Sequence, residues 1–437
     1  MVSPSSAAAT EHEARPGPLA GVRVLDLGDP LTIYASKLLA DLGADVILVE
    51  PPGGVAARNL PPFYQDQPGA ATSLTFWFFN TSKRSVTCDL NSADGRALFA
   101  KLVGTAQIVL EGDPPGGLDA LGVGYQRFHQ EQPALVWASI TGFGSSGPHA
   151  GWLADDLVGI AMSGIMTLSG YPDRPPVQLP GNQGWYAAGI QAAQGVLLAL
   201  RLAEACGIGQ FVDVSMQEAL SLAQETAMQT WDMRREVRKR QGEARLMPGV
   251  GTYECADGHL YSMVGIPGFG ANWQVLAGWM AEQGMAEDLG SEHWQSILNN
   301  MNMRELTKLW SNPEKLAEVQ QQYGHVNEVL ARFYQRFTKQ YLYEEGQRRR
   351  ILIGPANTAK DLLNDAQLAA RNWFQQVEHP ELDDTVTYPG PPYRLAKSPW
   401  QIARRPPLPG EHNRELWQGE LGCEPHELAA LTATRAI

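Results

Sequence analysis

Asp155 and Asp156 stand side by side, with His149 a little upstream and Asp173 a little downstream. A carboxylate can attack a carbonyl carbon, and two adjacent carboxylates repel each other, which raises the pKa of one of them. His149 reads as a surface histidine. Cys88, Cys206, Cys255 and Cys423 lie far apart without Cys-x-x-Cys spacing. They read as four reduced thiols of a cytoplasmic protein, and no metal site is expected. Arg234, Arg235, Arg238, Lys239 and Arg240 form a basic cluster that reads as a solvated helix face.

The elements that must position these groups follow from hydrophobic spacing. Val22–Leu27 predicts a strand, Tyr34–Leu42 a helix closed by Gly43, and Val46–Val49 a second strand. Strand, helix and strand in this order give a βαβ unit of a parallel sheet. The pattern recurs with strands at Ser85–Leu90, Ile108–Leu110 and Leu135–Ile140 and a helix over Ala93–Val103. The almost uncharged stretch Trp185–Ala203 predicts a buried helix, followed by a strand at Phe211–Val214 and a helix over Met216–Met233. From Met247 to about Lys339 the tryptophans Trp273, Trp279, Trp294 and Trp310 fall on mainly helical segments, which predicts a smaller domain. The expected division is a disordered tail at 1–18, a large domain beginning at 19–225, a linker and small domain at 226–339, and a return to the large domain at 340–437. The Pro-rich ending is expected to run back across the large domain as an extended tail.

The 437 residues are enough for two folded units, and 44% hydrophobic with 19% charged residues is ordinary for a globular chain. A net charge of −13 argues against general binding to nucleic acid or to an anionic membrane. The N-terminal stretch Ser3–Pro18 lacks a basic start and an apolar core, so it does not read as a signal peptide. No apolar run reaches the length of a membrane span.

Several blocks together resemble the class III CoA-transferases, the CaiB/BaiF family. They are Pro18-Leu-Ala-Gly-Val-Arg-Val-Leu-Asp-Leu27, Leu38-Leu-Ala-Asp-Leu-Gly-Ala-Asp-Val-Ile47 with Glu50, Asn80-Thr-Ser-Lys-Arg-Ser85, Gly207-Ile-Gly-Gln-Phe-Val-Asp-Val-Ser215 and Gly410-Glu-His-Asn413. The resemblance runs from about Leu19 to the C-terminus. It implies an α/β fold: a doubly wound, Rossmann-like large domain plus a smaller α/β domain, in a dimer of interlocked rings. It implies coenzyme A thioesters as substrates with no covalently bound cofactor. It also implies an aspartate that attacks the thioester, forms a mixed anhydride, and then carries CoA as an aspartyl thioester.

That aspartate aligns with Trp185, and indole cannot form an anhydride. Asp156 matches an acidic position that the family carries in a supporting role. Other departures concern the CoA contacts. Leu31 replaces a polar side chain or an Ala-Gly-Pro turn, Pro51 replaces an arginine after Glu50, and Gly112 and Ala120 stand where asparagine and arginine are usual. Met247-Pro-Gly-Val-Gly-Thr252 holds the place of a glycine-rich loop.

The family includes an enzyme of anaerobic toluene degradation, acting on succinyl-CoA and (R)-benzylsuccinate, built of two homologous subunits. The expectation is therefore a chain that lacks the nucleophile and assembles with a homologous catalytic subunit. The alternative is an active homomeric CoA-transferase using Asp155 or Asp156. Acyl-CoA racemase activity is disfavoured, because Asp155 and Trp185 stand where that reaction needs a histidine and an aspartate.

Overall fold

The computed structural model describes residues 17–240, 242, 247–264, 272–299 and 313–437. Trp310 and most of the N-terminal tail lie outside them. The chain divides into two units. One holds the chain up to Ser169 with Pro176–Lys239 and Ala370–Ile437; the other holds Gly170–Pro175 with Arg240–Ala369.

The first unit is built on a fully parallel sheet. Its strands are β1 (Arg23–Asp26), β2 (Asp45–Glu50), β3 (Arg84–Thr87), β4 (Ile108–Glu111), β5 (Val136–Thr141) and β6 (Phe211–Ser215). The order is β3-β2-β1-β4-β5-β6, with Val24 opposite both Val46 and Ile108. Continuous apolar runs form these strands because both faces are covered. Val24, Val46, Ile108, Val136 and Ala138 face one core, while Leu25, Ile47, Val109 and Trp137 face another.

The helices of this unit include α1 (Ile33–Asp41), α2 (Leu74–Phe79), α3 (Ala93–Val103), α4 (Tyr125–Glu131), α5 (Asp156–Met162), α6 (Gln183–Cys206), α7 (Met216–Ser221) and α8 (Ala227–Arg234). The predicted Met216–Met233 helix is thus two helices, broken where Glu225 takes a positive φ of 49°. α6 buries Trp185, Ala188, Ala192, Val196 and Ala199 along one face. Gly189 lets α6 lie against α1, since a Cβ there would stand 2.9 Å from the Tyr34 Cβ. The opposite face is not buried in this chain: Ile190 and Leu202 are exposed and Leu198 is 74% exposed. Arg234, Arg235, Arg238 and Lys239 are exposed as expected and Arg240 is half-buried, but only Arg234 lies within α8, so the cluster is not a helix face.

Asn80–Ser85 ties the sheet together through buried carboxylates. Lys83 Nζ lies 2.9 Å from Asp26 Oδ2, with both side chains fully buried, and donates to Asn80 Oδ1 at 2.7 Å. Asp26 also accepts from Thr32 Oγ1, Ser36 Oγ and the Gly28 amide. Burial pushes its carboxyl up, but Lys83 and these donors outweigh that and lower its pKa. Thr81 and Ser82 donate to Asp41, which pairs with Lys37. Arg84 donates to Asp45. Ser85 donates to Glu50, which holds Arg58 in a two-point contact while Arg58 lies over the Phe76 ring.

β3 is an edge strand, and the end of the chain covers it. Ser82 N donates to Arg404 O, His412 N donates to Ser85 O, and Thr87 N donates to Asn413 Oδ1. Beyond Asn413 the chain is not an extended tail. It forms a wide helical turn over Arg414–Glu420, with Leu416 and Trp417 fully buried, and Asp89 N donates to Ala436 O.

The second unit holds an antiparallel sheet of β7 (Val250–Cys255), β8 (Gly258–Met263) and β9 (Leu352–Pro355). With it stand α9 (Trp273–Glu282), α10 (Glu292–Asn299), α11 (Pro313–Gln335) and α12 (Lys339–Arg348). Trp273, Trp279, Tyr253, Phe333 and Tyr334 fill its core. The tryptophans Trp273 and Trp279 are therefore packing residues. Among the described residues no helix is long and apolar enough to cross a membrane.

Breaking a buried pair leaves its partner charged and desolvated. Lys83→Met is expected to cost about 3–5 kcal/mol in urea unfolding, whereas Arg127→Met at the exposed Arg127–Glu131 pair should cost under about 1 kcal/mol. Equal losses would remove Asp26–Lys83 from its structural role.

Candidate functional site

In an open parallel sheet, ligands bind where neighbouring strands send their connections in opposite directions. Here that point lies between β1 and β4, the strands at which the order reverses. Their C-terminal ends lead into Asp29-Pro-Leu31 and Gly112-Asp-Pro-Pro115, and these two loops face each other across a cleft of about 340 Å³. Thr141 and Gly142, the segment Ala150–Asp155 and Trp185 complete its lining.

Trp185 sits in the first turn of α6, and so next to the positive end of the helix dipole. A carboxylate there would be stabilised in its ionised form by about 0.3–1 kcal/mol. The indole instead packs at 5.7 Å from Phe79, in an aromatic cluster with Tyr186 and Tyr34, and is 9% exposed. Leu31 is likewise both part of this core and part of the cleft wall.

The two neighbouring aspartates have different partners. Asp155 is the N-cap of α5: its side chain accepts from Val158 N at 2.9 Å, while the residue is exposed on the cleft. Asp156 is buried and accepts from Gly184 N at 2.6 Å and from Gln178 Nε2 at 3.3 Å. It thus satisfies one of the free amides at the start of α6 and joins two helix starts. Burial raises its pKa, the Gly184 amide and Gln178 pull it down, and the charge of Asp155 has the smallest effect.

Of the positions singled out from the sequence, Leu31, Gly112, Asp155 and Trp185 meet in this cleft. Pro51 follows β2 and is exposed, and Ala120 is exposed at the end of a short helix, Gly117–Ala120; neither lines it. His149 stacks on Trp152 at 3.9 Å, also outside the lining.

Two acidic groups were not singled out. Asp29 Oδ1 accepts from Leu31 N at 2.8 Å, and its side chain lies over Gly112, where a Cβ would stand 2.4 Å from the Asp29 Cγ. Asp113 faces it from the other loop. The strand order could have found both, since it places the loop after β1 against the loop after β4. Among the described residues lining the cleft there are three aspartates (Asp29, Asp113 and Asp155) and no Lys, Arg or His. Such a lining does not fit the phosphates of CoA, which call for cationic or charge-assisted donors.

Glu111, the last residue of β4, is buried on the other face of the sheet with Trp137 and Ser139 around a separate cavity of about 290 Å³. Burial pushes its carboxyl up to about 7, against the pull of hydrogen bonds from Ser139, the Asp113 amide and Trp137.

Two measurements check this geometry. Gly112→Asn forces a side chain into the space of Asp29 and should lower the melting temperature by several degrees, with Asp29→Ala restoring part of the loss, since the residue-29 Cβ still stands 2.5 Å from the new one. Additive losses would show that the two positions do not share that space. Because the folded-state pKa of Glu111 is raised, it contributes stability that is present below about pH 4.5 and lost as pH rises through about 7. Glu111→Gln should therefore gain on the parent protein in chemical denaturation at pH 8 and match it near pH 4.5; a gain that does not vary with pH would contradict this.

The description "CoA-transferase family III" matches residues 19–413. The chain is 35% identical over 395 residues to the BbsE subunit of succinyl-CoA:(R)-benzylsuccinate CoA-transferase from Thauera aromatica, covering 90% of this chain and 92% of that one. It is 31% identical to formyl-CoA:oxalate CoA-transferase from Streptomyces coelicolor, covering 96% and 99%. A solved CaiB/BaiF family protein from Brucella suis superposes with a TM-score of 0.77 at 25% identity, covering 93% of this chain and all of that one. With its parallel sheet, its cleft at the reversal of strand order and these relatives, the chain belongs to CoA-transferase family III, whose enzymes act on coenzyme A thioesters.

Proposed function

We propose that this chain is the non-nucleophilic subunit of a heteromeric family III CoA-transferase and assembles with a homologous subunit that carries the aspartate. The observation that carries this reading is the indole of Trp185 at the start of α6, packed on Phe79 in the cleft where the chemistry would occur. Asp156 does not stand in for it, since its carboxylate is bound to the start of the same helix. The identity to the Thauera subunit favours succinyl-CoA as donor and an aryl-substituted dicarboxylic acid such as (R)-benzylsuccinate as acceptor.

In this reading the chain contributes structure and assembly. The outward side chains Ile190, Leu198 and Leu202 of α6, with Met228, Trp231 and Met233 of α8, supply apolar surface for a homologous chain, in an interlocked arrangement. A second reading keeps the chain active as a homomer through Asp155, which is exposed on the cleft beside Trp185. Its role as N-cap of α5 and the absence of cationic side chains among the described residues lining the cleft speak against this.

Incubation of the purified chain with succinyl-CoA and hydroxylamine, followed by peptide mass spectrometry, tests both. The expected result is no hydroxamate on this chain and one on its partner when the two are co-expressed. A hydroxamate on Asp155 or Asp156 would establish the second reading. Trp185→Asp alone supplies a carboxylate but no CoA contacts. It should remain inactive and lose about 2–4 kcal/mol of stability, as large-to-small core changes do; recovered transfer would show that Trp185 alone silences the chain.

A further inference from the structure

We propose that Asp29 determines what the switch-point cleft accepts: seated over Gly112, it excludes the phosphate-bearing body of a CoA thioester from this chain. The inference deepens the reading of the chain as a non-nucleophilic subunit and rests on it for the identity of the excluded ligand. The exclusion has a steric and an electrostatic part. The Asp29 side chain occupies the space that any residue-112 side chain would fill, within 2.4–2.6 Å of a Cβ there. It is held in place because Oδ1 accepts from Leu31 N while its carbonyl accepts from Thr32 N and Ile33 N. One bond thus holds the carboxylate and two hold the backbone that carries it.

The charge around it adds to this. Asp113 from the β4 loop and Asp155 from the segment before α5 line the same cleft, and the Asp26 carboxylate at the end of β1 is already paired with Lys83. No cationic side chain is left among the described lining residues to offset Asp29. Burial raises the Asp29 carboxyl to about 6, the Leu31 amide pulls the other way, and the charges of Asp113 and Asp26 add to the rise. The group is therefore charged at pH 7.5 and largely neutral at pH 5.5.

Binding of CoA to the full chain can be followed by calorimetry and by tryptophan fluorescence, since Trp152 and Trp185 line the cleft. At pH 7.5 the parent chain should bind CoA at least tenfold more weakly than Asp29→Asn, which keeps the acceptor for Leu31 N and removes only the charge. Asp29→Ala, which also removes the bulk, should bind at least as well as Asp29→Asn. Lowering the pH to 5.5 should shrink the gap between parent and Asp29→Asn several-fold; the same titration on Asp29→Asn corrects for protonation of CoA itself. Circular dichroism and melting confirm that each variant is folded. Equal affinity of parent and variants at both pH values, or no binding by any of them, would overturn the role of Asp29. Tight CoA binding by the parent without a hydroxamate would overturn this inference and leave the missing nucleophile untouched. A hydroxamate on this chain would overturn the latter alone.

Discussion

The architecture of the sheet-bearing unit depends on one desolvated contact, the pairing of Asp26 with Lys83 at the C-terminal end of β1. Both side chains are fully buried, so the pair persists only because every remaining lone pair and proton also finds a partner. Those partners are the first turn of α1, the Gly28 amide and the end of α2. The pair therefore fixes the turn that follows β1 and, through it, the position of Asp29 and Leu31 on the cleft. The other contacts of residues 80–85, to Asp41, Asp45 and Glu50, repeat the same device on each side. A short polar segment thus acts as the keel of a sheet whose strands are otherwise apolar.

On the reading proposed here, the cleft keeps the scaffold of the family without a nucleophile of its own. The strand order still opens a crevice, and α6 still points its amino end at it. An indole stands at that amino end, one neighbouring carboxylate caps a helix and the other bridges two helix starts. The remaining acids make the crevice negative, opposite to what a polyanionic thioester requires.

Much of this was legible in the sequence. Val22–Leu27, Val46–Val49 and Ile108–Leu110 identify strands because a parallel sheet buries both faces, and their alternation with helices identifies the doubly wound order. The place of Trp185 at the start of a long helix followed from the uncharged run after it. Less legible was anything that depended on contacts across the chain. Asn80–Ser85 shows its charges in sequence but not the carboxylates that neutralise them, Asp26 lying 57 positions from Lys83 and Asp45 lying 39 from Arg84. Asp29 and Gly112 carry no joint signal until β1 and β4 are neighbours. The helical end of the chain was missed because the Pro-rich stretch before it reads as extended, and Leu416 and Trp417 show their role only in the core they share with Leu25, Ile47 and Phe99.

The cover over β3 has a consequence for the order of events during synthesis. The strand is made early, but the residues that satisfy its outer edge, Arg404 to Asn413, emerge near the end. The sheet-bearing unit is also discontinuous, with nearly the whole second unit translated between its parts. On the ribosome, then, the second unit can complete its fold while β3 still presents an open row of amides and carbonyls. A nascent chain stalled before residue 404 would be the species most prone to pair with other strands. Closing that row is the last step that makes the chain a finished building block.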